Sequence, residues 1–226
     1  DMNILPKTDM IACVVSLILG FFGCSSVKTQ RDVAIVPTPL SMEKGTGSFT
    51  FGPNTVITVP TEEQKPVAGL FASLFTRSAG FTPKVQVGTE GDVCLELDKN
   101  LPEDAYEMQV SSGQIRVKAS DSKGLFYGLQ NLRLLLPPAI ESSTAQDTVE
   151  WTVPEMTVKD APRFGYRGFM LDVSRYFLPK EELLRMIDCM ALLKLNRLHP
   201  HLTDGNGWRL DIQIYPKPQE YGAWVA

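Results

Sequence analysis

Two short stretches in the last part of the chain decide its fold. They are GFMLDV at residues 168–173, followed closely by Arg175, and NRLHPHL at residues 196–202, followed closely by Asp204. The first is almost continuously apolar, which is typical of a strand buried on both faces in a parallel sheet. A helical pattern that begins at Pro179 lies between them. The sequence therefore predicts a βαβ unit with parallel strands and a right-handed crossover, which opens a larger α/β domain.

Upstream of this unit the pattern predicts a different kind of layer. A short strand is expected at residues 55–59, and the alternation on both sides of Ser112 and Gly113 predicts a β-hairpin. Two amphipathic helices are expected, one over residues 62–78 and one that begins after Asp121. We therefore expect an α+β amino-terminal domain, a largely antiparallel sheet with two helices on one face.

Changes of composition divide the chain into four predicted segments. These are a lipoprotein-type signal peptide at residues 1–24, a linker at 25–34, the α+β domain at 35–159 and the incomplete start of a TIM barrel at 160–226.

The composition excludes several classes of protein. The 226 residues are 43% hydrophobic and 21% charged, with 22 basic and 26 acidic side chains. These proportions rule out a disordered tail, a collagen-like fibre and a coiled coil. Because the formal net charge is -4 and no block of lysines and arginines occurs, we expect no nucleic-acid partner.

The amino-terminal segment predicts export. Residues 11–22 are apolar and follow Lys7, but they are fewer than the roughly 20 residues that span a bilayer as a helix. The glycine before Cys24 resembles the lipobox of bacterial lipoproteins, which implies lipid attachment at Cys24 and a membrane-anchored protein, periplasmic or at the cell surface. An ordinary secretory signal and a buried helix remain alternatives. Of the other cysteines, Cys94 and Cys189 are expected to be small buried side chains.

Polar side chains follow both predicted barrel strands. In α/β barrels the working residues lie at the carboxyl ends of the strands, and here these positions hold Asp172, Arg175, His201 and Asp204. Arg175 carries five donors that suit vicinal hydroxyls or a carboxylate, with a surface ion pair as the alternative. Asp204 precedes Gly205, so a turn residue is the alternative for Asp204.

Two further pairs of side chains are candidates for binding a metal or a sugar. His199 and His201 lie two residues apart and share one face of a strand, which permits chelation of a metal. No third ligand stands nearby in the sequence, so we expect no metal and no cofactor, and a metal-dependent hydrolase is the weakest hypothesis. Trp208 and Trp224 are candidate platforms for sugar rings, with simple packing as the alternative.

The two stretches resemble glycoside hydrolase family 20, the β-N-acetylhexosaminidases. Residues 162–177 (PRFGYRGFMLDVSRYF) are similar to the first barrel strand of this family, and residues 196–209 (NRLHPHLTDGNGWR) to its second strand and following loop. The upstream layer resembles the family's small non-catalytic domain, so the resemblance covers about residues 35–226. It implies hydrolysis of terminal N-acetylglucosamine or N-acetylgalactosamine from glycans by a substrate-assisted retaining mechanism.

The resemblance also implies roles for individual residues. Arg175 matches the arginine that binds the hydroxyls of the terminal sugar, and His201 matches a histidine that lines the site. Asp204 matches the aspartate that supports the acid–base machinery. The sequence departs from the family at Pro200, where a Trp is usual, and at Gly205, which replaces an acidic residue.

The family's catalytic pair of adjacent Asp and Glu lies on a later barrel strand, and no Asp-Glu dipeptide occurs in this sequence. The residues from Tyr166 onward are also too few for the roughly 250 of a complete barrel. We therefore expect an amino-terminal fragment of a hexosaminidase that is inactive alone. The alternative is a non-catalytic, membrane-tethered carbohydrate-binding or interaction module.

Overall fold

The computed structural model describes residues 35–205 and 207–224. The predicted signal peptide, the predicted lipid attachment at Cys24 and the predicted linker lie outside the described residues. Within the described ranges, none of the helices has the length and the apolar character that crossing a membrane requires.

The described residues form a seven-stranded sheet with helices and a separate pair of strands. The strands are β1 (Ser41–Thr50), β2 (Val56–Val59), β3 (Lys84–Val87), β4 (Val93–Leu97), β5 (Tyr106–Val110), β6 (Ile115–Ala119), β7 (Thr152–Asp160), β8 (Gly168–Asp172) and β9 (Arg197–His201). The helices are α1 (Lys65–Ser78), α2 (Ser122–Leu135), α3 (Lys180–Leu192) and α4 (Lys217–Gly222).

The seven-stranded sheet has the order β1-β7-β5-β6-β4-β2-β3, and the separate pair consists of β8 and β9. We call the first seven strands with α1 and α2 the sheet layer, and β8, α3 and β9 the strand pair.

The predicted hairpin is confirmed as β5 and β6. Met108 lies opposite Val117 in an antiparallel register, and both side chains are fully buried. The alternation of apolar and polar residues produces this arrangement because successive side chains of a strand point to opposite faces. One face of the hairpin therefore contributes to the core beneath the helices.

Helix α2 begins where the sequence predicts. The Asp121 side chain accepts a hydrogen bond of 2.8 Å from the backbone N–H of Gly124, which satisfies one of the free donors of the first turn. Burial raises the pKa of Asp121, but hydrogen bonds from the backbone N–H groups of Gly124 and Asp104 together outweigh it and hold the pKa below its ordinary value. Leu125 and Leu132 of this helix are fully buried against the sheet.

The sheet is mixed, so the expectation of a largely antiparallel sheet is wrong in detail. Strands β1, β7, β5 and β6 pair antiparallel, but β6, β4, β2 and β3 pair parallel. For β2 and β3 the physical reason is α1, which joins them as a crossover and returns the chain in the same direction. The α+β class of this layer and the following βαβ unit are as predicted.

The strand pair is more exposed than the sequence pattern suggests. Strand β8 pairs with β9 in parallel, from Gly168 opposite Arg197 to Asp172 opposite His201. The prediction that β8 is buried on both faces is wrong, because Met170 is 54% exposed. Strand β8 has one neighbouring strand within the described residues, and one neighbour leaves much of its surface uncovered.

Helix α3 is covered on part of its apolar face only. Met190 is buried, but Leu184 and Ile187, which the periodicity places on the buried face, are exposed. Cys189 is also exposed, so its predicted burial is wrong, whereas the predicted burial of Cys94 is confirmed. Two strands are too narrow a surface to cover the helix, and this accounts for both differences.

Candidate functional site

The predicted site residues converge at the carboxyl end of the strand pair. Asp172 is the last residue of β8 and His201 the last of β9, and the two lie opposite each other in the parallel register. Arg175 and Asp204 follow three residues later in the two loops. Equal spacing from opposed strand ends therefore brings the two loop residues together.

The carboxylate of Asp172 bonds to both the backbone and the side chain of Arg175. Its Oδ1 accepts hydrogen bonds from the backbone N–H groups of Ser174 and Arg175, both at 3.0 Å. Its Oδ2 accepts a bond of 2.6 Å from Nη1 of Arg175. The backbone N–H of Arg175, together with its guanidinium, holds the pKa of Asp172 below the ordinary value of 3.8. Asp172 is therefore ionised at neutral pH.

Asp204 contacts the other terminal nitrogen of Arg175. Its Oδ2 forms an ion pair with Nη2 of Arg175 and lies 3.3 Å from Nε2 of His201. Its Oδ1 accepts a hydrogen bond of 2.6 Å from the backbone N–H of Gly205. These bonds, that from Gly205 first and then those to His201 and Arg175, lower the pKa of Asp204. Asp204 thus holds the turn at Gly205 and also contacts Arg175 and His201.

We call Asp172, Arg175, His201 and Asp204 the arginine cluster. The Arg175 side chain is 64% exposed, whereas those of Asp172 and Asp204 are 22% and 34% exposed. The guanidinium is thus held from both sides by carboxylates while most of its surface faces solvent. A cation fixed in this way can donate hydrogen bonds to hydroxyl groups, and the flanking carboxylates can accept from them.

The two loops that carry the cluster are braced against each other. Ser174 Oγ donates to the carbonyl oxygen of Gly207 at 2.8 Å, and Arg209 Nε donates to the carbonyl oxygen of Val173 at 3.1 Å. Gly207 has φ +78°, and an added Cβ would collide with the carbonyl oxygen of Ser174. The sequence does not predict these bonds between the two loops. The local signal for them is Gly207, a glycine in a polar loop.

The remaining candidate residues are placed differently. His199 is exposed, and in the described ranges no three His, Cys, Asp or Glu side chains are grouped so that they could hold a metal ion. Trp208 donates from its indole to the carbonyl oxygen of Leu210 at 2.7 Å. Trp224 is 79% exposed. Arg209 also donates to the carbonyl oxygen of Ala223 at 2.6 Å, so the segment before Trp224 reaches the same loops.

Comparison with known protein families decides the relationship. Residues 32–161 match the family description "Glycosyl hydrolase family 20, domain 2", and residues 164–226 match "Glycosyl hydrolase family 20, catalytic domain". The chain belongs to glycosyl hydrolase family 20. The arginine cluster lies in the part that matches the catalytic domain of this family.

Several hexosaminidases of this family are similar to the chain. It is 36% identical over 224 residues to a beta-hexosaminidase from Porphyromonas gingivalis, which covers 94% of this chain and 29% of the relative. It is 34% identical to an N,N'-diacetylchitobiase from Vibrio harveyi, covering 84% of this chain and 20% of the relative. The chain thus spans about a third or less of the length of these relatives.

Solved structures of the family share the fold. The N-acetyl-beta-hexosaminidase of Streptomyces plicatus matches with a TM-score of 0.77 and 35% identity, covering 84% of this chain and 38% of that one. The beta-N-acetylhexosaminidase of Bacteroides fragilis matches with a TM-score of 0.71 and 28% identity, covering 85% and 38%. The first barrel strands of family 20 are therefore present in this chain.

The two departures from the family pattern lie close to the cluster. Pro200 is part of β9 and lies opposite Leu171 of β8, so the register passes through it without a shift. Gly205 supplies the backbone N–H that Asp204 accepts. The short bond explains how the turn is held, but nothing in the structure explains why glycine replaces an acidic residue.

Proposed function

We propose that this chain supplies the sugar-binding end of a β-N-acetylhexosaminidase that removes terminal N-acetylglucosamine or N-acetylgalactosamine from glycans. The observation that supports this most strongly is Arg175, which is held between Asp172 and Asp204 at the carboxyl ends of two barrel strands. The similarity to hexosaminidases of family 20 gives the reaction class.

In the proposed reaction, Arg175 donates hydrogen bonds to the hydroxyls of the terminal sugar and fixes it at the strand ends. The 2-acetamido oxygen of the sugar then forms a bond to the anomeric carbon as the bond to the leaving oxygen breaks, and an acid protonates that oxygen. Water then attacks the anomeric carbon of the oxazolinium, the group that acted as the acid takes up a proton of the water, and the acetamido group is restored with retention of configuration. The acid belongs to an Asp-Glu pair that this sequence lacks, so we propose that the chain is inactive alone.

The structure supports a definite role for Asp204 within this proposal. Because the pKa of Asp204 is lowered, its carboxylate is ionised at neutral pH, where it pairs with Nη2 of Arg175 and lies 3.3 Å from Nε2 of His201. It therefore orients the arginine toward the sugar. We propose Asp204 and His201 as positioning residues, and Arg175 as the residue that contacts substrate.

A chromogenic N-acetylglucosaminide tests the proposed activity. The chain without residues 1–24 is assayed beside the product of the reading frame extended to its next stop codon. We expect hydrolysis by the longer protein alone. Hydrolysis by the shorter chain would contradict the proposed need for an Asp-Glu pair, and inactivity of a longer protein that contains the pair would contradict the proposed enzyme.

A second candidate function is carbohydrate binding without catalysis. A cavity of about 550 Å³ lies where the sheet layer meets the strand pair. Its lining includes the aromatic side chains of Phe126 and Tyr127 and the polar side chains of Lys123, Asn196 and Arg197. Aromatic faces with nearby hydrogen-bonding groups suit a saccharide. A Phe126→Ala variant that loses affinity for an oligosaccharide, while Arg175→Lys keeps it, would favour this second function.

We also propose export and lipid attachment at Cys24, on the strength of the apolar segment and the glycine before the cysteine. The test is metabolic labelling with a fatty acid in a bacterial host, together with membrane fractionation. Cys24→Ser should abolish both labelling and membrane association, and Cys13→Ser is the matched control. Labelling that survives Cys24→Ser would contradict the proposed attachment site.

A further inference from the structure

A second polar cluster lies at the opposite end of the strand pair from Arg175. Arg167 directly precedes β8, and Lys194 lies in the turn between α3 and β9. Arg167 Nε donates to the carbonyl oxygen of Lys194 at 2.8 Å. The backbone N–H of Arg167 donates to Oδ1 of Asn196 at 3.0 Å, and its carbonyl oxygen accepts from the backbone N–H of Asn196 at 2.9 Å. Arg167 thus joins the starts of both strands.

The same arginine reaches into the sheet layer. Its Nη2 donates to the hydroxyl of Tyr127 at 2.8 Å, and its guanidinium lies 5.2 Å from the centre of the Tyr127 ring. It also lies 3.7 Å from Oδ2 of Asp104. The Arg167 side chain is only 15% exposed, so these contacts are largely shielded from water. Tyr127 belongs to α2, which packs on the sheet through its buried leucines.

Lys194 forms a second connection beside the first. Its side chain is 8% exposed, and its Nζ lies 3.7 Å from Oδ2 of Asp160 at the end of β7. Asp160 in turn accepts a hydrogen bond of 3.3 Å from the hydroxyl of Tyr106. The backbone of Lys194 is left-handed, with φ +59°, which a lysine seldom adopts. One arginine and one lysine of the strand pair therefore each lie near an aspartate of the sheet layer. We call Asp104, Tyr127, Asp160, Arg167 and Lys194 the junction cluster.

The junction cluster bears on the register of the strand pair. Strands β8 and β9 have five residues each, and the register runs from Gly168 opposite Arg197 to Asp172 opposite His201. A slip by one residue would turn every side chain to the other face. A five-residue ladder has few hydrogen bonds with which to resist such a slip. The bonds of Arg167 to Lys194 and Asn196 hold the start of the ladder, about 16 Å from the end that bears Arg175.

We propose that Arg167 is a positioning residue through which the sheet layer sets the register and placement of the strands that carry the arginine cluster. The inference deepens the proposed function, since it assigns the sheet layer a task in building the sugar site. Tyr127 lies in α2 of the sheet layer, and its hydroxyl accepts a hydrogen bond from Arg167. Arg167 in turn bonds to Lys194 and Asn196 and so joins the starts of both strands. Asp172, Arg175 and His201 then meet at the other end.

The test uses isotope-labelled chain and nuclear magnetic resonance. One readout is the hydrogen exchange of the Val173 amide, which donates to the carbonyl oxygen of His201 at 3.1 Å at the far end of the ladder. The second readout is the chemical shift of the Nε–Hε group of Arg175, which a uniform loss of stability does not change. Exchange at Met108 in the sheet layer reports global opening. Neither readout depends on sugar binding, so the proposed function and this inference can fail separately.

We expect Arg167→Gln to speed exchange at Val173 by about tenfold or more, since it removes charged hydrogen bonds, and to shift the Arg175 signal while exchange at Met108 stays unchanged. Arg167→Lys should show the same two changes as Arg167→Gln, because lysine lacks the forked donors of arginine. The control is Arg197→Gln, because Arg197 is exposed and its Nη1 donates to the carbonyl oxygen of the adjacent Asn196.

Tyr127→Phe keeps the inference testable if Arg167→Gln unfolds the strand pair. This variant removes one hydroxyl, and we expect the same two changes with a smaller size. In the double variant the effects should be less than additive, because both changes remove the same bond. Unchanged exchange at Val173 and an unchanged Arg175 signal in Arg167→Gln or in Tyr127→Phe would overturn the proposal.

Discussion

The close approach of α2 to the sheet gives a prediction whose size follows from the structure. A Cβ added at Gly128 would lie 2.6 Å from Cγ1 of Val117 and 3.2 Å from Cδ2 of Tyr106, both in buried strands. A Cβ added at Gly69 of α1 would meet nothing within 4 Å. Both substitutions add one methyl group to a helix, but only that of Gly128→Ala collides with the sheet.

The magnitudes separate the two variants. Replacing glycine by alanine inside a helix favours folding by about 0.5 to 1 kcal/mol, so Gly69→Ala should be stabilising by that amount. Gly128→Ala has the same gain but forces extra volume into a packed interface, which costs about 1 to 3 kcal/mol. We expect the free energies of unfolding of the two variants to differ by about 1 to 3 kcal/mol, with Gly128→Ala the less stable.

Urea unfolding followed by far-ultraviolet circular dichroism measures this difference, with the slope of the transition checked for a change in the unfolded state. Gly128 adjoins Tyr127, so the displaced helix should also lengthen the bond from Tyr127 to Arg167. A Gly128→Ala variant as stable as Gly69→Ala would mean that α2 does not lie this close to the sheet.

Three further outcomes follow from the same structure. Asp121→Ala removes the cap of α2 and should lower the free energy of unfolding by about 1 kcal/mol, measured by urea unfolding, with no change contradicting the cap. Leu132→Ala should cost about 2 to 5 kcal/mol because the side chain is fully buried, whereas the exposed Leu70→Ala should stay within about 0.5 kcal/mol of the parent. Asp204 has a folded pKa below its unfolded 3.8, so its contribution to stability is complete above pH 3.8 and is lost as the pH falls through the folded pKa. Urea midpoints below about pH 5 should therefore fall less steeply in Asp204→Asn than in the parent, and equal slopes would contradict the bonded carboxylate.

Local patterns predicted the elements that depend on neighbouring residues. The alternation around Ser112 and Gly113 defines the β5–β6 hairpin, and the polar residue Asp121 ahead of a leucine stripe defines α2. Both patterns extend over a few residues, where the periodicity of side chains acts directly. Strand β7 was missed because Pro154 and the polar residues around it weaken the alternation, and pairing with β1 and β5 stabilises it instead.

The sequence predicts that the candidate residues lie close together, but it does not predict the bonds that hold them. The carboxyl ends of the two strands identified Arg175, His201 and Asp204, and the structure brings all three together. The role of Asp172 in holding Arg175 depends on geometry that the sequence spacing only suggests. The junction cluster was beyond sequence reasoning because its central bond joins residues 40 positions apart, from Tyr127 to Arg167.

We propose that Arg175 binds the terminal sugar. The most direct measurement is kcat/KM for a chromogenic N-acetylglucosaminide in the product of the extended reading frame, with Arg175→Lys compared with Arg185→Lys. Arg185 is the matched control, since it also pairs with an acidic residue three positions earlier, Glu182, and is 70% exposed. We predict a fall of about tenfold or more for Arg175→Lys, from the lost forked hydrogen bonds, and no change for Arg185→Lys. Equal kcat/KM values for the two variants would contradict sugar binding by Arg175.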